Sequence, residues 1–86
     1  MELVFQTKAW EDYIYWQETD KDKLRRINDL IKDCKRDPFK GIGKPEALRN
    51  DFSGCWSRRI DNEHRLIYAV RESRLHILQC RFHYGK

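Results

Sequence analysis

Apolar positions along this chain follow two periods, and the switch between them falls near Gly54. Before it, Trp10, Tyr13, Ile14 and Gln17 recur at helical spacing, which predicts a helix over residues 8–18 with Thr7 as its N-cap. Leu24, Ile27, Leu30, Ile31 and Cys34 form a second apolar stripe. Thr19 or Asp20 caps that helix in this reading, Lys32, Lys35 and Arg36 suit its negative C-terminal end, and Asp37-Pro38 stops it. A short run at 3–5 reads as an opening strand. Beyond Gly54 the period becomes two, which predicts strands over 56–60, 65–70 and 75–84. Turns at 61–64 and 71–74 are short enough to make them an antiparallel meander.

Residues 39–54 belong to neither pattern. Two glycines and a proline make this stretch a shaped loop. Its Gly41-x-Gly43-Lys44 lacks the spacing of a phosphate loop and the Ser or Thr that follows one. The fold expected is α+β: an N-terminal strand, two helices, then an antiparallel meander with the helices packed on one face. Eighty-six residues suit one domain spanning 1–86, with one modest core.

Charge changes this picture more than composition does. Residues 1–39 carry eight basic and nine acidic side chains, whereas residues 40–86 carry ten and five. Seven of those ten are arginine. Guanidiniums hold phosphates bidentately, so a polyanion such as RNA is the natural partner of the second half. The three cysteines are widely spaced with no C-x-x-C pair, which argues against a disulfide framework or a zinc site and fits a reducing cytoplasm. The N-terminus lacks the basic and apolar regions of a signal peptide, and no apolar run approaches the ~20 residues of a membrane span. A membrane partner is therefore not expected.

The arginines cluster around one imidazole. In a meander the start of the middle strand lies beside the end of the last, so Arg65 and His83 should be neighbours. Alternation puts Arg81 on the face of His83, and puts Arg58 and Arg59 on opposite faces, so that one of the two serves the site and the other pairs with a helix. Metal-free RNA cleavage needs a base for the 2′-hydroxyl, an acid for the leaving 5′-oxygen and cations for the developing phosphorane charge. His83 can be the acid and Arg65 a cation. Glu46, Glu63 and His64 compete for the base, and Glu46 is favoured because its Gly/Pro loop can cross the site. The acidic residues lie mostly on the two helices as solvated charges, without metal-ligand spacing, so no metal or other cofactor is expected. The aromatics Trp10, Tyr13 and Trp16 read as core or interface rather than as a base-stacking platform.

Five blocks carry a family resemblance: Trp10-Glu11-Asp12-Tyr13-x-x-Trp16-Gln17, Gly43-Lys44-Pro45-Glu46-x-Leu48, Trp56-Ser57-Arg58-Arg59-Ile60, Glu63-His64-Arg65-Leu66-x-Tyr68 and Arg81-x-His83-Tyr84. Together they resemble the Txe/YoeB family of bacterial toxin components, within the wider RelE-like group. The resemblance implies an endoribonuclease that cuts mRNA in the ribosomal decoding site, leaving 2′,3′-cyclic phosphate and 5′-hydroxyl ends. It implies Glu46 as general base, Arg65 as phosphate stabiliser and His83 as general acid. Lys44, Arg49, Arg59, Glu63, Arg81 and Tyr84 are expected to support the site or contact RNA. The family's loop usually has lysine where this chain has Arg49, and Gly85-Lys86 follow the point at which relatives usually end. The implied partners are the 70S ribosome with its rRNA and mRNA, and a dimeric antitoxin whose acidic tail folds over the basic face. A second copy or the antitoxin is expected to cover exposed aromatics of the first helix. Two other readings stand beside this one: a toxin of the same fold that inhibits DNA gyrase without catalysis, and a basic RNA-binding module without chemistry.

Overall fold

The computed structural model of the chain describes residues 1–83. Its elements run β1 (Glu2–Phe5), α1 (Thr7–Thr19), α2 (Lys21–Arg36), β2 (Glu46–Ala47), β3 (Trp56–Arg59), β4 (Arg65–Arg71) and β5 (Arg74–Gln79). The strands form one sheet in the order β1-β5-β4-β3-β2. β3, β4 and β5 make the expected meander, β2 adds antiparallel to β3, and β1 pairs parallel with β5, so the sheet is mixed.

The second helix forms as its stripe predicts. The Asp20 carboxylate accepts from the backbone N–H of Asp22 and Lys23, and Ile27, Leu30, Ile31 and Cys34 are buried. Each such aliphatic side chain contributes roughly 1.5–3 kcal/mol when it leaves water. The first helix starts one residue earlier than its capping signal suggests. Gln6, not Thr7, is the N-cap, and its side chain makes no capping bond. The Gln6 N–H donates instead to the Ile77 carbonyl, extending the β1–β5 pairing, so the sheet and not a hydroxyl decides where α1 begins.

Both helices cover one face of the sheet. Ala9 and Trp16 of α1 and the α2 stripe pack on Leu66, Tyr68, Leu75 and Ile77. The other face carries a small apolar patch, Leu48, Cys55, Ile67 and Ala69, beneath the 48–55 loop. The last strand stops at Gln79 rather than continuing to residue 84. A register shift at Ile67/Tyr68 sets Gln79 opposite Ile67 while Ile77 faces Tyr68, which breaks the alternation. Beyond it, α1 takes over the backbone: Asp12 accepts the Cys80 N–H at 3.0 Å and the Trp16 indole donates to the Cys80 carbonyl at 2.8 Å.

The segment between α2 and β3 is organised by Arg58, whose side chain is fully buried. Its guanidinium donates to the Tyr68 hydroxyl, to Asp33 of α2, and to the carbonyls of Asp37, Lys40 and Ile42. Tyr68 donates in turn to the Pro38 carbonyl, and burial pushes its hydroxyl up to about 12, so it keeps that proton at any working pH. Gly41 has φ +132, and a Cβ there would fall 1.9 Å from the Asp33 carboxylate. Only glycine fits beside the ion pair.

Removing the guanidinium would leave three carbonyls unpaired and take from Asp33 its buried cation, leaving it Arg36 and the Ile42 N–H. Arg58→Met is therefore expected to cost about 3–5 kcal/mol, read as a drop in urea midpoint at unchanged slope. The Arg36 side chain, the Ile42 N–H and Arg58 hold the Asp33 carboxyl well below its ordinary 3.8. A depressed folded value stabilises above the unfolded value, so this contribution is complete above about pH 5 and is lost as pH falls. The gap in urea midpoint between wild type and Asp33→Asn should accordingly narrow from pH 7 to pH 3. A constant gap would remove the carboxylate from the acid response.

Candidate active site

Arg59 and Arg65 are register partners at the ends of β3 and β4, and Glu46 of β2 is the register partner of Ser57. Directly opposed residues share a face, and Arg58 between Ser57 and Arg59 points to the helices, so these four lie on the open face. Two arginines directly opposite repel in a bare sheet, an arrangement that an anion between them would relieve. Lys44, Glu46, Ser57, Arg59, Arg65 and His83 line a polar cleft of about 180 Å³ there. The sequence-nominated acid, base and cation thus meet in one place.

Each side chain is delivered by a distinct local device. Glu46 follows from the loop held by Arg58: the Gly43 carbonyl accepts the Arg59 N–H at 2.7 Å, and the chain then enters β2. Gly43 has φ +80, and a Cβ there would press on Leu30 at 2.7 Å. Arg65 follows from the 61–64 turn, in which the Asp61 carboxylate accepts the N–H of Glu63 and His64 and pairs with Lys23 at 2.9 Å. Burial would raise the Asp61 carboxyl, but the Lys23 bond and those two N–H donors outweigh it and hold it below its ordinary value. The Arg65 guanidinium donates to the carbonyls of Asp61 and His64, which fixes one end of its fork. His83 is held through its backbone, its carbonyl accepting from the Gln79 side chain at 3.0 Å.

Other sequence-nominated residues fall elsewhere. Arg81 does not share the cleft with His83: its guanidinium lies 3.5 Å over the Tyr15 ring of α1. The strand ends at Gln79, and the left-handed backbone of Phe82, φ +66, separates the direction of Arg81 from that of His83. Arg49 lines a neighbouring hollow that shares Glu46. Glu63 is exposed, with its carboxylate 3.5 Å from His64 Nε2 and outside the cleft lining. His64 is buried against Trp16 and Phe82 and does not line the cleft. Tyr84 lies outside the described residues. Ser57 was not anticipated, although its alternation with Arg58 could have found it.

A larger groove of about 380 Å³ lies on the helix side, lined by Leu3, Phe5, Trp10, Tyr13 and Ile31 with Lys32 and Lys35. Trp10 is 51% exposed there whereas Trp16 is buried, so the aromatics of α1 divide between surface and core. Among the described residues, no helix is long and apolar enough to cross a membrane.

A strand, two helices and a meander with a basic cleft on its open face make a RelE-like toxin fold. Residues 5–84 match the family described as the YoeB-like toxin of bacterial type II toxin-antitoxin systems. The chain is 56% identical over 84 residues to Toxin YoeB of Escherichia coli K12, covering 98% of this chain and all of that one. A YoeB/ParE toxin structure from Agrobacterium tumefaciens superposes with a TM-score of 0.95 at 53% identity, covering 98% of this chain and 100% of that one. The toxin in a YoeB–YefM complex from Staphylococcus aureus does so at 0.89 and 41%, with 98% of each chain covered. The chain belongs to the YoeB toxin family of type II toxin–antitoxin systems.

Because Arg81 packs on α1, its loss should be felt as packing. Arg81→Ala is expected to lower stability by about 0.5–1 kcal/mol, with Tyr15→Ala and the double variant sub-additive in a thermodynamic cycle. Fully additive losses would dissolve the stacking contact.

Proposed function

We propose that this toxin is a ribosome-dependent endoribonuclease that cleaves mRNA in the A site by metal-free acid–base chemistry. The observation that carries the reading is the convergence of Glu46, Arg65 and His83 on one cleft with Lys44 and Arg59. Glu46 takes the proton of a 2′-hydroxyl, and the resulting oxygen attacks the adjacent phosphorus in line. Charge grows on the non-bridging oxygens, where Arg65, Arg59 and Lys44 stabilise it. His83 donates a proton to the departing 5′-oxygen, leaving a 2′,3′-cyclic phosphate and a 5′-hydroxyl. Glu63 acts from outside the cleft through its contact with His64, and Arg49 extends the basic surface beside it.

The shape of the cleft supports dependence on the ribosome. Lys44, Glu46 and Arg59 are exposed, and so small a site has little with which to bend an RNA strand. A decoding site that presents the mRNA already bent supplies the alignment that the toxin lacks. The antitoxin of this reading is a dimer whose acidic tail folds over the basic second half of the chain, in keeping with the YefM partner of the Staphylococcus aureus relative. A general acid and base in one cleft favour chemistry over passive RNA binding or gyrase inhibition, and the work takes place in the cytoplasm.

His83→Ala is expected to lose on the order of 10²–10⁴-fold in single-turnover cleavage on programmed ribosomes. Arg59→Ala should lose less, because Lys44 and Arg65 remain. Chelation that leaves the ribosomes intact should change nothing, and the products should end in cyclic phosphate. Undiminished cleavage by His83→Ala, or loss of cleavage on chelation, would overturn the mechanism.

A further inference from the structure

His83 reaches the cleft at the end of a segment that has left the sheet, and residues outside the cleft decide where that segment goes. Phe82, just before it, has φ +66, a conformation that bulky residues adopt only when their surroundings impose it. Both of its backbone groups are engaged. Its carbonyl accepts the Arg65 N–H at 2.9 Å, and its N–H donates to Nδ1 of His64 at 2.7 Å. A backbone N–H can only donate, so Nδ1 is the acceptor and the ring proton sits on Nε2, the nitrogen facing Glu63 at 3.5 Å. The His64 ring cannot swing away, since Trp16 packs against it with centroids 4.8 Å apart.

We infer that His64 is a positioning residue for the proposed cleavage: its Nδ1 lone pair holds Phe82 in the left-handed conformation that turns His83 into the cleft. The inference rests on the ribonuclease reading for its effect on rate, but the hydrogen bond itself can be tested without it. One turn of α1 completes the device from the other side. Asp12 and Trp16 grip the N–H and carbonyl of Cys80, and the Trp16 ring that does so is the one that backs His64. The Glu-His-Arg block thus has a division of labour. Its arginine side chain enters the cleft, its histidine holds the segment bearing the acid, and the arginine N–H ties that segment to β4.

Three variants separate an acceptor from a mere filler. An asparagine oxygen lies where Nδ1 lies, a glutamine oxygen lies nearer Nε2, and leucine fills space without accepting. Amide exchange of Phe82 should be fast in His64→Leu and His64→Gln and protected in wild type and His64→Asn, with Ile67 and Ile77 protected in all four. Single-turnover cleavage on programmed ribosomes should fall by about 10²-fold in the leucine and glutamine variants, the scale of an acid displaced by about an ångström. The asparagine variant should recover to within a few-fold of wild type. Equal exchange at Phe82 in the asparagine and glutamine variants, or wild-type cleavage by His64→Leu, would overturn the assignment. Should His64→Leu lose protection at Ile67 and Ile77 as well, the comparison of asparagine with glutamine decides alone. Wild-type protein that cleaves no mRNA would overturn the ribonuclease reading while leaving the exchange result standing.

Discussion

A guanidinium buried without solvent contact is the constraint around which the rest of this molecule is arranged. Arg58 takes its charge into the interior, and the cost of desolvation is offset only because Asp33, Tyr68 and three carbonyls converge on it. Those carbonyls belong to the segment after α2, which forms neither helix nor strand before Glu46. The loop therefore takes its shape from a side chain of β3, and β2 with Glu46 inherits that shape. Position 58 faces the helices and position 59 faces the cleft, so adjacent arginines divide the tasks of building the site and charging it.

The cleft is assembled from backbone held at its margins. Its cations sit where β3 and β4 meet the 61–64 turn, which Asp61 folds by taking two N–H groups. Its histidine arrives on a segment gripped by α1 and by the same turn. Among the described residues no buried side-chain nitrogen or oxygen lacks a partner. In so small a core that completeness matters, because an unpaired buried polar group costs more than a well-made bond contributes.

Legibility in the sequence followed the range of the interactions involved. The second helix was readable because its stripe, its Asp20 cap and its proline stop are all local. The meander was readable because alternation persists through β3 and β4 and turn lengths limit the pairing. From these alone Arg65 could be placed beside the end of the last strand, and Arg58 and Arg59 on opposite faces. What failed depended on distant partners. Thr7 was read as a cap because nothing nearby reveals that Gln6 pairs with Ile77. Arg81 was put on the face of His83 because alternation was extended past Gln79, where the strand ends and the His64 ring accepts from a left-handed Phe82 between the two. β2 was missed because a two-residue strand after a proline has no period. Among three competing bases the Gly/Pro loop already favoured Glu46, and the resemblance implies the same residue.

The parallel pairing of β1 with β5 has a consequence for how the chain comes into being. Glu2 lies opposite Arg74 and Phe5 opposite Ile77, so the first strand synthesised has no partner until almost all of the sequence exists. Until then α1 and α2 can wind but have no sheet to cover, and Asp12 and Trp16 have no Cys80 to hold. Contacts this far apart along the chain are slow to close. A nascent chain that has passed residue 40 or 60 is therefore neither folded nor equipped with a site. Competence arrives all at once and late.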